Sequence, residues 1–110
     1  MVFMAFDPVL AERVREALAP TPVREVKMFG GLSFLVDEKM VASVRGQGGL
    51  LVRCDPGSAD QLVEREGASR AEMRGKLMKD GWVHVEPEVL DDQALDFWLN
   101  AALTYNRQLD

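Results

Sequence analysis

The chain has 110 residues, of which 47% are hydrophobic and 28% are charged, a balance typical of one folded domain rather than of a disordered segment. Its net charge of -5 argues against nucleic acid or an anionic membrane surface as a partner, because both require a basic surface. One cysteine and one histidine exclude an internal disulfide and a cysteine- or histidine-rich metal centre, so we expect no cofactor. Because the chain has neither a signal peptide nor an apolar run of about 20 residues, we expect a cytoplasmic protein with no membrane partner.

The first half of the chain predicts one helix followed by four short strands. Asp7 suits the N-cap of the helix and Pro8 its first position, while Pro20 and Pro22 end it. After these prolines, apolar and polar residues alternate in short runs that are separated by glycine or polar turns. This pattern indicates an antiparallel meander, with strands expected at residues 23–28, 32–36, 40–44 and 50–54.

The second half predicts a short helix, a basic segment, a fifth strand and a long final helix. Ser58 is expected to cap the short helix, and the basic residues 68–79 are expected to form a loop or a short helical turn. Residues 82–85 alternate as a strand, and Asp91 or Asp92 is expected to cap the last helix. The order α-β-β-β-β-α-β-α predicts a two-layer α+β domain, in which the N- and C-terminal helices pack on an antiparallel sheet of about five strands.

Four residues invite a chemical role, and each also has a structural interpretation that we favour. Gly30 and Gly31 lead into a strand rather than a helix, so they indicate a hairpin turn and not a phosphate-binding loop. His84 lies in an alternating strand, where a half-exposed histidine is more common than a general base. Cys54 ends a strand on its apolar side and is expected to be a buried, unreactive thiol. We therefore predict no catalytic residue and no enzyme.

Three segments resemble the N-terminal domain of the TfoX/Sxy family, and they occur in the order of that family. Residues 23–34, VREVKMFGGLSF, resemble its opening hairpin. Residues 75–85, GKLMKDGWVHV, are similar to its G-x-x-M-x-G segment, with Asp80 as an extra residue, and residues 90–99, LDDQALDFWL, are similar to its acidic cap and tryptophan helix. The resemblance implies a single domain over residues 1–110, a small α+β fold likened to secretion chaperones, and a relation to bacterial regulators of natural competence. It supplies no catalytic residue.

These observations support three functional hypotheses. The first is a non-enzymatic regulatory or protein-interaction domain with an unidentified protein partner, whose last helix offers Phe97 and Ala101 for a homodimer. The second is a small-ligand-binding protein or small enzyme, in which a cleft near the Gly30–Gly31 turn holds an acidic ligand. The third, disfavoured by the acidic chain, is weak nucleic-acid binding through the basic segment Arg70–Lys79. The residues expected to contact a partner or ligand are Lys27, Met28, Phe29, Gly30, Gly31, Arg53, Met78, Lys79 and Trp82.

Overall fold

The computed structural model describes residues 6–28 and 30–109. Phe29, one of the expected contact residues, lies outside the described residues. Within them, no helix is both long enough and apolar enough to cross a bilayer. The α-helices are α1 (Pro8–Leu18), α2 (Ala59–Leu62) and α3 (Asp92–Asn106). The strands are β1 (Arg24–Met28), β2 (Gly31–Val36), β3 (Lys39–Val44), β4 (Leu50–Arg53), β5 (Ala68–Arg70), β6 (Glu72–Met73), β7 (Lys76–Leu77) and β8 (Trp82–Val85).

The main sheet has six antiparallel strands in the order β1-β2-β3-β4-β8-β5, and β6 and β7 form a separate two-stranded hairpin. This confirms the predicted α+β fold with an antiparallel sheet, but it adds one strand to the expected five. The prediction of a loop or short helical turn at residues 68–79 was wrong, because this segment contains β5 and the β6–β7 hairpin. Both turn residues of that hairpin, Arg74 and Gly75, have positive φ, at 54° and 79°, as a type I′ turn requires.

Helices α1 and α3 cover one face of the sheet and enclose the main hydrophobic core. Asp7 accepts hydrogen bonds from the first amides of α1, and Asp91 caps α3 by accepting one from Ala94 N at 2.8 Å. The expected cap at Ser58 was wrong, because its side chain makes no capping hydrogen bond. Asp55 acts there instead: its carboxylate accepts from Gly57 N at 2.9 Å and begins the 3-10 turn that precedes α2.

The opposite face of the sheet, which we call the hairpin face, is covered in part by the β6–β7 hairpin. Backbone hydrogen bonds hold both ends of the hairpin, from Ala71 N to Trp82 O at 3.0 Å and from Met78 N to Ala71 O at 2.9 Å. The strand register places one residue of each strand in a row across this face, because laterally paired residues lie on the same side of a sheet. The row consists of Val26, Ser33, Ser43, Leu51, His84 and Ser69.

Candidate functional site

A cavity of about 670 Å³ lies between the hairpin face and the β6–β7 hairpin. Its volume is within the range of roughly 300–1,000 Å³ that is usual for small-molecule sites. Ser33, Ser43 and Leu51 form its floor and are buried, whereas the walls are partly exposed. The site therefore has a closed base on the sheet and a cover that consists of a single short hairpin.

Methionine dominates the walls of this cavity. The four methionines among the described residues, Met28, Met40, Met73 and Met78, all line it, and the chain's other two precede residue 6. They come from β1, β3, β6 and the segment after β7, so four separate parts of the chain deliver the same side chain to one place. Because a thioether chain is unbranched and polarisable, it adapts to the shape of an apolar ligand. The walls are thus suited to an apolar group.

The two serines of the floor satisfy each other. Ser33 Oγ donates a hydrogen bond to Ser43 Oγ at 3.1 Å, and Ser43 Oγ donates to the carbonyl of Leu32 at 3.3 Å. Both hydroxyl protons therefore have acceptors within the protein, and the oxygen atoms retain lone pairs that can accept from a ligand. Such a satisfied pair supplies polarity at the floor without leaving a buried polar atom unpaired.

Arg45 is the polar group that connects the sheet to the hairpin. One terminal nitrogen of its guanidinium donates to the carbonyl of Glu72 at 2.6 Å, and the other donates to His84 Nδ1 at 3.3 Å. Since arginine can only donate, Nδ1 is the acceptor and the ring proton is assigned to Nε2, which donates to Glu86 Oε1 at 3.2 Å. His84 is half-buried, as the strand alternation predicts, and this chain of contacts fixes its neutral tautomer.

The structure brings four of the expected contact residues together in the lining: Met28, Gly31, Met78 and Trp82. Gly30 and Gly31 serve the turn in two different ways. Gly30 has a φ of +77° with open space around it, whereas a Cβ on Gly31 would lie 2.4 Å from the carbonyl oxygen of Val44. The first glycine provides a left-handed conformation, and the second permits close approach of β2 to β3.

Lys27, Arg53 and Lys79, the three cationic residues among those expected to contact a partner or ligand, do not line the cavity. Lys27 pairs with Leu32, a residue of the helix-covered core, and therefore lies on the opposite side of the sheet. The Arg53 guanidinium lies 5.4 Å from the centre of the Trp82 ring, outside the lining, and Lys79 is exposed. Gly30 also lies outside the lining.

Sequence reasoning missed Arg45, the two serines of the floor and two of the four methionines. For Ser43 and Arg45 the signal is the alternation at the end of β3: Ala42 and Val44 belong to the core, so Ser43 and Arg45 belong to the other face. What the alternation could not supply is the hairpin above them, because its contacts with Arg45 join residues that are 27 positions apart.

The remaining candidate residues have structural surroundings. Cys54 is buried in the helix-covered core, and desolvation raises the pKa of its thiol to about 12, which confirms the predicted burial. Within residues 6–28 and 30–109, no three His, Cys, Asp or Glu side chains come together as metal ligands. In the basic segment, Arg70 pairs with Asp80 at 2.7 Å and donates to the carbonyl of Met78 at 3.2 Å. Arg70 thus holds the C-terminal end of the hairpin at Met78.

The last helix carries the surface that we expected to support a homodimer. The Phe97 ring meets Trp98 edge-on, with the ring centres 5.2 Å apart, and the Arg65 guanidinium lies 3.6 Å from the centre of the Phe97 ring. Ala101 is half-buried beside the core. One side of the Phe97 ring is therefore already occupied by a cation of the same chain, and the homodimer remains a prediction.

Comparison with known proteins agrees with the resemblance of the three segments. A search of the curated proteins finds no match to the chain. The family model described as the TfoX N-terminal domain matches residues 16–105, which include every strand of the main sheet and almost all of α3. The chain belongs to the TfoX N-terminal domain family.

Proposed function

We propose that this chain is a non-enzymatic regulatory domain that acts by binding a small ligand in the cavity beneath the β6–β7 hairpin. Membership of the TfoX N-terminal domain family supports a domain of the competence-regulator type. The observation that carries the proposal is the convergence of Met28, Met40, Met73 and Met78 on one cavity of about 670 Å³. A domain this small has few apolar side chains to spare, and these four are not part of its main core.

The surroundings of the two candidate catalytic residues support binding rather than catalysis. Both ring nitrogens of His84 are engaged, one by Arg45 and the other by Glu86. Cys54 lies on the other side of the sheet, and its raised pKa keeps the thiol protonated and weakly nucleophilic near neutral pH. Neither His84 nor Cys54 lines the cavity, whose walls consist largely of the methionines.

Methyl NMR on protein labelled at the methionine, leucine and valine methyl groups tests this proposal. We expect 1-octanol, a neutral apolar probe, to shift the signals of Met28, Met40, Met73 and Met78 saturably and with one dissociation constant. The methyl signals of Leu10 and Val14, which are buried under the helices, serve as the internal control and are expected to remain in place.

A matched pair of variants on the hairpin locates the binding. Met73→Gln replaces a cavity thioether with an amide of similar length and is expected to weaken octanol binding by about fivefold, because apolar contact is lost. Leu77→Gln changes an exposed leucine of the same hairpin that is not part of the lining, and it is expected to leave the affinity unchanged. Octanol that leaves the four methionine signals unshifted, or that shifts core and cavity methyls alike, would overturn the proposal.

A further inference from the structure

We infer that the ligand of this cavity is a small amphipathic carboxylate, whose acid group binds Arg45 and whose apolar chain lies among the four methionines. This inference rests on the proposed function and specifies the chemistry of the ligand. It combines three observations on the described residues: the donors of Arg45, the charges of the lining, and the apolar side chains that make up much of the lining.

Arg45 has the donors that an anion requires. A guanidinium carries five N–H groups, and the two terminal nitrogens of Arg45 donate to His84 Nδ1 and to the Glu72 carbonyl. These two contacts hold the planar group at the edge of the cavity before any ligand arrives. A carboxylate that meets a fixed guanidinium forms charge-assisted hydrogen bonds, commonly two in parallel, and does not have to order a free side chain first.

The charge of the lining favours an anion over a cation. The cavity is lined by Arg45, Arg74 and Glu72, so its cationic side chains outnumber its anionic one, although the chain as a whole carries a net charge of -5. Arg74 lies at the turn of the hairpin and has interactions of its own, so the inference depends on Arg45. A cationic ligand would meet the fixed guanidinium and be repelled by it.

Most of the remaining side chains of the lining are apolar. Trp82 and Leu51 join the four methionines, and the serines of the floor already satisfy each other. A wholly polar anion would leave this apolar surface wet, whereas a carboxylate with an alkyl or aromatic body would bury it. The body of the ligand therefore contributes most of the affinity, and the acid group determines the orientation.

The experiment compares three probes of equal chain length: octanoate, 1-octanol and octylamine. Their affinities are measured from the methionine methyl signals at pH 7.5 and low salt. We expect octanoate to bind roughly tenfold more tightly than octanol, as one charge-assisted contact implies, and octylamine to bind more weakly than both.

A peptide probe tests whether the carboxylate could instead belong to a protein chain. An acetylated tripeptide that ends in leucine is expected not to bind, because the hairpin covers the floor of the cavity. If the peptide bound more tightly than octanoate, the carboxylate would come from a protein chain and the assignment of a small-molecule ligand would be overturned.

Variants of two hairpin-tethering arginines separate the anion contact from the closure of the hairpin. Arg45→Gln removes the cation and is expected to abolish the preference for octanoate over octanol. Arg70→Gln loosens the same hairpin at Met78 without changing the lining, and the preference is expected to survive. Arg45→Lys keeps the charge and serves as the second variant if the glutamine variant does not fold, with the preference retained in part.

The outcomes distinguish this inference from the proposed function. Equal affinities for octanoate and octanol, or a preference that persists in Arg45→Gln, would overturn the assignment of the acid group to Arg45 and leave the ligand cavity in place. Failure of both octanoate and octanol to shift the cavity methionines would overturn the inference together with the proposed function. Tighter octanoate binding that disappears in Arg45→Gln alone supports it.

Discussion

The two faces of the sheet are built from the same strands but are covered in different ways. On one face, α1 and α3 bury Phe34, Val52 and Trp98 in a continuous core. On the other, a hairpin of two two-residue strands covers Ser33 and Ser43 and leaves a cavity of about 670 Å³. The first arrangement contributes most of the apolar burial, and the second leaves apolar side chains available to a ligand. The main core and the proposed ligand site thus lie on opposite sides of one sheet.

The way each cover is attached sharpens this difference. Helix α3 is anchored through its buried side chains and also by Asn106, whose amide donates to the carbonyl of Val36 at 3.1 Å. The hairpin is held by backbone hydrogen bonds at its ends and by two arginines that donate to carbonyls, Arg45 to Glu72 and Arg70 to Met78. Since few apolar contacts support the hairpin, we expect it to open locally at a lower free energy than the helices do. A cover of this kind can admit a ligand without unfolding the domain.

The largest difference between the faces is expected from truncation of a large apolar side chain on each. Phe34→Ala on the helix-covered face should lower the free energy of unfolding by about 3–5 kcal/mol, because it removes a fully buried ring and leaves a cavity. Met78→Ala on the hairpin face should cost about 1 kcal/mol, because that side chain is partly exposed and already borders a cavity. Urea denaturation of both variants measures the contrast.

A third variant controls for the hairpin itself. Leu77→Ala alters a leucine that is exposed and outside the lining, so its unfolding free energy should stay within about 0.5 kcal/mol of the parent. If Met78→Ala proved as costly as Phe34→Ala, the hairpin face would be a second core rather than a ligand site.

A smaller loss of unfolding free energy is expected from substitutions in the Gly30–Gly31 turn, where β2 approaches the backbone of β3 closely. Gly31→Ala places a Cβ 2.4 Å from the carbonyl oxygen of Val44, and moving β3 away should cost about 2 kcal/mol. Gly30→Ala meets open space and only has to adopt a positive φ, so it should cost about 1 kcal/mol. Thermal or urea unfolding ranks the two variants. The reverse order would mean that strand spacing here is adjustable and that the turn conformation is the stricter requirement.

Cys54 provides a test of how completely the helix-covered face excludes water. Burial raises the pKa of its thiol from 9.0 to about 12, so the unfolded chain loses this proton at a lower pH than the folded chain does. The contribution of the buried, protonated thiol to the unfolding free energy is therefore present below pH 9 and is lost as the pH rises from there towards 12. We expect the unfolding free energy of the parent to fall more steeply above pH 9 than that of Cys54→Ala. Parallel curves for the two proteins would mean that water reaches the thiol.

The fold was predictable where a signal is local. The two long helices have caps and apolar periodicity within their own sequences, and the four strands of the meander alternate between glycine or polar turns. The segment of residues 68–79 was not predictable in this way, because β5 has three residues and β6 and β7 have two each. Strands this short form only because they pair with residues elsewhere in the chain. Ser69, for example, pairs with His84, which follows it by fifteen positions.

The candidate site was likewise predictable only where its signal is local. The cleft beside the Gly30–Gly31 turn and Met78 was expected, and a cavity lies there, but the cation in it is Arg45 rather than Lys27. Proximity along the chain suggested Lys27, whereas the pairing of Lys27 with Leu32 places it on the helix side. For Lys27, the register of β1 against β2 decides which face the side chain occupies, and register is a property of both strands rather than of the segment itself.

The smallest effect is expected from the ion pair that joins β1 to α1 on the helix-covered side. Two nitrogens of Arg15 donate to the Glu25 carboxylate at 2.6 and 2.8 Å, and this hydrogen bonding holds the pKa of Glu25 below its ordinary value. Both side chains are largely solvated, so Glu25→Gln should lower the unfolding free energy by less than about 1 kcal/mol at pH 7. Because the folded-state pKa is depressed, the contribution of this ion pair to stability is present above the ordinary pKa of 4.5 and is lost as the pH falls through the folded value.

Urea denaturation of the parent and of Glu25→Gln, at pH 7 and in acid and with and without added salt, measures this contribution. The difference in unfolding free energy between the two proteins should disappear in acid and shrink in salt. A difference that persisted in acid would have to come from packing of the Glu25 side chain against α1, and the helix layer would then extend to the edge strand of the sheet.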